Sequence, residues 1–331
     1  MKWKLLQKPT GWIPPVKTIL NRGFMLAAVT ASLCSVTGYL GELHFLLELT
    51  SHFKVQYLRI GFCCLFFFLM SRKNSWCLVS LFCIAINLVE VVPWYLPQPA
   101  SAGETVTQLR VLQSNVLTSN RQYYKVISLV RKEKPDVAVF IEVSKSWAKE
   151  LEVLRESFPY VFLNQDGEYF GTAIYSKLPL ANKSIKDLGG GRKTIMAEVT
   201  IQGQLVSLLA AHPSIPTGRS GFKLRNKELA EVGDFVVKLK KPVVMVGDFN
   251  TTMWSPHYNK FVGKAGLRNA RAGFGTLPTW PTFFPLLYIP IDHCLVSPEI
   301  EVVKIRRGRE VGSDHLPLIT DLAITRKAES N

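Results

Sequence analysis

Val243-Val244-Met245-Val246-Gly247-Asp248-Phe249-Asn250 opens on four apolar residues and closes on an acid and an amide two positions apart. A short apolar run behind the breaker Pro242 reads as a strand covered on both faces. Asp248 and Asn250 then fall at its end, on a rim where loops present polar side chains from a rigid scaffold.

The sequence on either side repeats that arrangement. Leu109–Val116 alternates apolar and polar residues and predicts a strand ending near Asn115, followed by a helix over about Gln122–Lys132 and a strand at Val137–Val143 carrying Glu142. A helix over Lys145–Ser157 is expected next, then strands near Tyr160–Leu163, Gly171–Ser176, Met196–Ile201 and Val206–Ala211. Phe222–Leu239 places Leu224, Leu229, Val232, Val236 and Leu239 at helical spacing, and later strands fall near Ile291–Val296, Val302–Ile305 and Leu318–Ile324. Many strands separated by occasional helices, with apolar runs that need cover on both faces, predict a layered α/β sandwich. His212 directly follows one strand, Asp292-His293 opens another, and Ser313-Asp314-His315 precedes the last. Polar residues recurring at strand ends in this way are expected to share one rim.

Before Pro99 the composition changes. Residues 1–99 carry nine Lys or Arg and three Glu, against 31 basic and 22 acidic residues in 100–331, so the first part is lean in charge. Three apolar stretches, roughly 23–40, 55–70 and 76–96, are expected to be transmembrane helices forming an N-terminal anchor. Gly23–Leu40 is eighteen residues without a charge. Arg59 near the start of the second stretch is placed to snorkel, and Pro93-Trp94-Tyr95 ends the third with interfacial aromatics. No small-x-small cleavage site with a polar start follows Leu40, which argues for a retained anchor rather than a signal peptide. Basic residues before the first stretch (Lys2, Lys4, Lys8, Lys17, Arg22) and between the second and third (Arg72, Lys73) place the N-terminus in the cytoplasm. Three spans then put 105–331 outside it, as a multi-pass protein of the cell membrane, whereas two would reverse the side. Pro97, Pro99, Ser101, Ala102 and Gly103 read as the short linker between anchor and domain.

Five of six cysteines lie in the apolar part and only Cys294 in the remainder, which excludes a disulfide framework there and a cysteine–histidine zinc cluster. The basic excess of 31 over 22 after residue 100 favours an anionic partner.

Gly247-Asp248-Phe249-Asn250 and Gly312-Ser313-Asp314-His315-Leu316-Pro317 resemble the two signature stretches of the endonuclease/exonuclease/phosphatase superfamily, the DNase I-like fold. Asn115, Glu142 within Phe140-Ile141-Glu142-Val143, His212-Pro213, Thr279-Trp280 and Ile291-Asp292-His293 follow in that superfamily's order, over about residues 108–325. Membrane-anchored bacterial members look closest. His293 departs from the pattern, since many nucleases of the superfamily carry tyrosine there. A second carboxylate ligand is missing between Glu142 and His212, because Asp166 and Glu168 fall in a loop, so a single-metal site is expected.

The resemblance implies a four-layer α/β sandwich preceded by the transmembrane helices, and a hydrolase acting on phosphate esters. It implies Mg²⁺, or Mn²⁺, held by Glu142 with Asp314 and Asn115. It further implies that Asp248 takes the proton of the attacking water while Asn250 orients water or phosphate. His315 paired with Asp292 would donate to the phosphoryl oxygen as an imidazolium, with His212 as a second donor. Trp280 would either stack on substrate or seal the core, and Arg225 either reaches the substrate or lies on a solvated helix face. His257 and His293 read as structural. The expected substrate is a phosphodiester, nuclease-like, with a phospholipid headgroup or phosphorylated metabolite as the rival and the bilayer as second partner. A silent scaffold would have lost Glu142, Asp248 or His315, and all three are present.

Overall fold

The protein is described by a computed structural model covering residues 16–98, 105–165 and 171–325. Lys2, Lys4 and Lys8, the linker residues from Pro99 to Gly103, and Asp166, Glu168 and Phe170 lie outside the described residues.

The apolar part forms helices α1 (Val16–Thr37), α2 (Phe45–Ser51), α3 (Lys54–Met70) and α4 (Asn74–Val91). With short 3-10 extensions, α1 runs over 25 residues at mean hydropathy 1.5 and α4 over 22 at 2.1. At 1.5 Å per residue these reach about 37 and 33 Å, enough for a hydrocarbon core of about 30 Å. The 17 residues of α3 reach only about 25 Å. The expected span at 55–70 therefore qualifies only together with α2, from which α3 is bent by 65°. Large side chains such as Leu26, Leu33, Phe66 and Leu78 point outward, while polar groups turn inward. Asn87 Nδ2 donates to Ser35 Oγ at 2.7 Å and Lys54 Nζ to the Ser35 carbonyl at 2.9 Å.

Residues 105–325 form two six-stranded sheets. The first contains β1 (Thr105–Asn115), β2 (Val137–Val143), β3 (Tyr160–Asn164), β4 (Gly171–Ser176), β11 (Ile300–Arg307) and β12 (Leu318–Thr325), ordered β11-β12-β1-β2-β4-β3. The second contains β5 (Ala181–Lys186), β6 (Thr194–Ile201), β7 (Gln204–Ala210), β8 (Val243–Asp248), β9 (Arg268–Asn269) and β10 (Asp292–Val296), ordered β5-β6-β7-β8-β10-β9. Val111, Val139 and Ile174 meet Leu208, Val244 and Cys294 between the sheets. Helices α5 (Tyr123–Glu133) and α6 (Lys145–Leu151) cover the outer face of the first sheet through Val126 and Trp147 on Phe140. Helices α7 (Gly218–Val237) and α8 (Pro256–Ala265) cover the second through Leu229, Val232 and Phe261 on Met245. The expected four-layer α/β sandwich is thus present.

Several elements differ from expectation, and α2, β5 and β9 have no expected counterpart. The helix predicted over Lys145–Ser157 ends at Leu151 and continues as a 3-10 turn. Helix α8 was not expected, although Ser255 caps its start, Pro256 fills its first turn and Gly266 ends it in a left-handed conformation, three ordinary helix-boundary signals.

The helices and the sandwich are stitched together. Val91 joins the core beneath α7 and α8, with Val55, Leu58 and Trp94 packed against it. Trp254 Nε1 donates to the Glu90 carbonyl at 3.0 Å, and Gly273 and Gly275 N–H groups donate to the Trp94 carbonyl at 3.1 and 2.7 Å. Gln56 Nε2 donates to the Tyr288 carbonyl at 2.8 Å, and His52 Nδ1 lies 3.0 Å from Thr252 Oγ1.

Candidate active site

Strand pairing brings the polar ends together. β1 and β2 run parallel and end side by side at Asn115 and Glu142, while β8 and β10 run antiparallel with Asp248 opposite Asp292. Asn115 Nδ2 bridges the sheets by donating to Glu142 Oε1 at 3.1 Å and to Asp248 Oδ2 at 3.2 Å. Asn115, Glu142 and His315 thus come from one sheet, and His212, Asp248 and Asp292 from the other.

Two backbone positions explain local sequence choices. Gly247 has φ +154°, and a Cβ there would stand 1.8 Å from the Ala211 carbonyl oxygen. Only glycine lets β8 pass so close to the residue preceding His212. Glu142 has φ +62°, a left-handed conformation for a non-glycine residue, at the irregularity in β2–β4 pairing between Ile141 and Val143. A bulge of this kind re-aims a side chain, and the unfavourable backbone costs about 1–3 kcal/mol. Thr118 holds the residue in place, its Oγ1 donating to the Glu142 carbonyl at 3.1 Å and its N–H to Oε2 at 3.4 Å.

His315 Nδ1 lies 2.8 Å from Asp292 Oδ2, and Gln113 Nε2 donates to the other oxygen, Asp292 Oδ1, at 2.8 Å. Burial pushes the His315 pKa down, but the carboxylates of Asp292 and Asp248 outweigh it and raise the ring to about 10. Burial likewise pushes Asp292 up, while His315 beside it and hydrogen bonds from His315, Thr279 and Gln113 hold it below the ordinary range. The ring is therefore an imidazolium at neutral pH, and its Nε2 points to Asp248 Oδ2 at 3.6 Å. Asp248 is raised by burial and by the neighbouring Asp292 and Glu142 carboxylates, against the opposing pull of His315 and of the Asn250 N–H. A carboxylate so destabilised in its charged form is a better proton acceptor than an exposed aspartate.

His212 sits across from this pair, its Nε2 3.6 Å from Asp248 Oδ2 and 3.8 Å from Glu142 Oε1. Burial, then the cationic Arg192, holds its pKa well below the usual histidine range, so this ring is neutral. Arg192 Nη1 lies 2.6 Å from both ring nitrogens.

Donor atoms of Glu142, His212 and Asp248 lie within 4.8 Å of one another, as do those of Asp248, Asp292 and His315. In the second set His315 already carries the positive charge, so the first suits a divalent cation better. Carboxylate oxygens there match a hard ion, and a neutral imidazole can join. Asp314, expected as a ligand, is in neither set: Trp280 Nε1 donates to its Oδ2 at 3.0 Å, while its buried Oδ1 has no hydrogen-bond partner among the described residues. Asn115, expected as an oxygen ligand, instead turns its NH₂ group to the carboxylates while its Oδ1 accepts from the Leu117 N–H at 3.0 Å. Its oxygen is committed to the backbone, which makes Asn115 an organiser of the acidic centre.

Asn250, also in the left-handed region at φ +51°, donates from its N–H to Asp248 Oδ1 at 2.9 Å and from Nδ2 to the Pro213 carbonyl at 2.9 Å. Trp280 is half-buried on the cleft wall, its ring centroid 6.4 Å from that of His315. Arg225 is not in the cleft. It is fully buried behind it, paired with Glu48 of α2 and donating to the Asn250 carbonyl at 2.9 Å. Both sequence alternatives for Arg225, substrate contact and solvated face, give way to a third in which it braces the loop after Asp248 against α2. His293 is structural, as expected: burial and then Arg271 hold it neutral, at about 3, and its Nε2 reaches the Thr251 carbonyl at 2.9 Å. His257 packs edge-on against Phe222.

Sequence reading missed three contributors. Gln113 was hidden in an alternating strand, Glu228 in a charged helix, and Arg192 in Gly189-Gly190-Gly191-Arg192-Lys193. Glu228 is buried and accepts from the N–H groups of Arg192 and Ser214, tying the glycine run to the loop after His212. A Cβ on Gly191 would meet Glu228 Oε1 at 2.1 Å, so the glycine run is the signal that pointed there.

The profile of the Endonuclease/Exonuclease/phosphatase family matches residues 112–315. The chain belongs to this family. Solved structures share its fold: a humanized TDP2 of D. rerio (18% identity, TM-score 0.56, covering 65% of this chain and 98% of that one). The family protein of Bacteroides vulgatus covers 66% and 100% at 18% identity and TM-score 0.56. That of Beutenbergia cavernae covers 66% and 72% at 20% identity and TM-score 0.55. No curated protein matches the chain. The family is one of hydrolases acting on phosphate esters, and the chain is such an enzyme.

Proposed function

We propose that the chain is a membrane-anchored, divalent-cation-dependent phosphodiesterase in which water attacks phosphorus in line with the leaving alcohol. The observation that carries this reading is the convergence on Asp248 of a charged His315–Asp292 pair, a neutral His212 and the Glu142 carboxylate. Asp248, raised by burial, accepts the proton of the attacking water, and Asn250 fixes its carboxylate through Oδ1. One P–O bond forms to the water oxygen and one breaks to the leaving alcohol, which takes up a proton. His315, held charged by Asp292, meets the phosphoryl oxygen where negative charge accumulates, and His212 adds a neutral donor on the opposite flank. Glu142 would hold Mg²⁺ or Mn²⁺, which leaves Asp248 free to accept the proton and His212 to donate, and Asp314, whose buried Oδ1 has no hydrogen-bond partner among the described residues, is a candidate further ligand. Such a cation, when bound, supplies neutralisation of the phosphoryl charge. Arg192, beside His212, extends the positive rim towards an anionic substrate.

A nuclease reading has its support in the basic excess after residue 100, and one structure of the same fold, TDP2 of D. rerio, was solved with a single-strand DNA product. Anchoring rests on the two long apolar helices, and the side assignment of 105–331 on the basic residues flanking three spans. Hydrolysis of bis(4-nitrophenyl) phosphate by the detergent-purified full chain tests the chemistry. It should require Mg²⁺ or Mn²⁺, stop in EDTA, return with added Mg²⁺ and be absent in Asp248→Asn. Undiminished turnover after EDTA would overturn the cation assignment, and reporter fusions after residue 100 read the side of the membrane.

A further inference from the structure

Phe283-Phe284-Pro285-Leu286-Leu287 forms a surface loop with four large apolar side chains held in the open: Phe283 is 75% exposed, Leu286 69%, Phe284 45% and Leu287 42%. Single exposed apolar residues are ordinary, but a contiguous group of this size marks a contact with something apolar. Both ends of the loop are fixed. On one side the Thr282 N–H donates to the Asp314 carbonyl and Thr282 Oγ1 to the Ser313 carbonyl, each at 2.9 Å, so the loop continues the wall of the catalytic cleft. On the other side the Tyr288 carbonyl accepts from Gln56, in the first turn of α3.

The position of α3 identifies what covers the loop. Its first turns, the end of α4 and the loop enclose a hollow of about 240 Å³ lined by Arg59, Tyr95, Trp254, Pro285, Tyr288 and Arg307. Two arginines and several aromatic rings at the mouth of apolar helices are the side chains that meet lipid headgroups. Leu43, Leu46 and Leu49, at and just before α2, are also exposed, on the helix whose Glu48 pairs with Arg225 of α7. The loop therefore meets the helices at the start of α3, where a membrane surface would lie if α1 and α4 span.

We propose that Phe283–Leu287 enters the leaflet at which α3 begins, and that the substrate is a phosphate ester borne by a lipid of that leaflet, reached without leaving the bilayer. The proposal rests on the phosphodiesterase reading of the same cleft. Loop insertion sets the Asp314–Trp280 wall at headgroup depth, where an ester anchored by its acyl chains is held at high local concentration. A soluble diester needs no loop. Nucleic acid, which offers no apolar body, gains nothing from four exposed apolar side chains.

The full chain, reconstituted with Mg²⁺ into vesicles of phosphatidylethanolamine, phosphatidylglycerol and cardiolipin, is assayed for loss of parent phospholipid by thin-layer chromatography. Bis(4-nitrophenyl) phosphate and single-stranded DNA are assayed in parallel. Wild type should consume vesicle lipid, and Phe283→Ser/Leu286→Ser should lose at least about ten-fold on lipid while staying within about two-fold on the soluble diester. The retained soluble activity reports an intact fold and cleft, and the apolar exchange Phe283→Leu/Leu286→Phe should restore lipid turnover. Equal lipid turnover by the serine variant, or wild-type activity on the soluble diester and DNA with none on lipid, overturns the lipid proposal and leaves the phosphodiesterase reading standing. Absence of wild-type activity on all three substrates overturns both.

Discussion

His315 Nε2 and His212 Nε2 each lie 3.6 Å from the same oxygen of Asp248, both rings are buried, and yet one is charged and the other neutral. On the His315 flank two carboxylates face the ring and Gln113 fixes the nearer one, so the imidazolium persists up to about pH 10. On the His212 flank the carboxylates of Asp248 and Glu142 stand 3.6 and 3.8 Å away, but the cationic Arg192 lies nearer, adds to burial and leaves the ring neutral. Desolvation acts alike on the two sides, so the neighbour decides. One acidic centre thereby obtains a fixed cation on one wall and a neutral ring that can donate a hydrogen bond or join a metal on the other.

The sharpest way to break this comparison is to remove the charged side. His315→Ala should lower kcat/KM on the order of 100- to 10,000-fold, with no recovery at high Mg²⁺, because no concentration of cation replaces a hydrogen bond at a fixed position. Glu142→Gln should lose less and recover part of its rate as Mg²⁺ is raised, since what it loses is cation affinity. Full rescue of His315→Ala by metal would make the two flanks equivalent and refute the assignment of roles.

Asp292→Asn should give a milder loss than His315→Ala and a telling pH profile. The raised His315 pKa means that the imidazolium is present below about pH 10 and is lost as pH rises through that value, which sets the alkaline limb. The Asp292→Asn substitution takes away the first of the carboxylates that raise it, so the limb should move to lower pH. A limb that stays in place would show that another group titrates there. Smallest of the four is Arg192→Gln, expected to cost at most about ten-fold at neutral pH. Loss of the cation lets the His212 pKa rise, so more of the ring is protonated as pH falls, and the Mg²⁺ concentration for half-maximal rate should increase more steeply towards acid pH than in wild type. Identical Mg²⁺ dependence at pH 6 and pH 8 in both proteins would separate His212 from the metal.

Much of this was legible in the chain, and the misses share a cause. Strand ends could be read because apolar runs stop abruptly at Asn115, Glu142, Asp248 and Asp292, and pairing then brings such ends together. Which sheet each belongs to, and that Asp248 and Asp292 face one another across β8 and β10, is a property of long-range pairing that periodicity does not encode. Arg225 shows the limit most clearly. Its helix carries alternating charge and predicts a solvated face, but Glu48, 177 positions earlier in the chain, neutralises it inside the protein. The left-handed turn at Glu142 also escapes sequence reading, since glutamate gives no sign of that conformation.

The Glu48–Arg225 pair has a practical side. Composition divides the chain near Pro99, and the obvious preparation is a soluble fragment starting at Thr105. Such a fragment would strip the counter-charge from a buried guanidinium that holds the Asn250 carbonyl, and would bare the apolar patch now covered by Val55, Leu58, Val91 and Trp94. Leaving one member of a buried ion pair alone typically costs about 3–5 kcal/mol, a large share of the roughly 5–15 kcal/mol that holds a domain folded. The two halves named by composition are therefore one unit for purification.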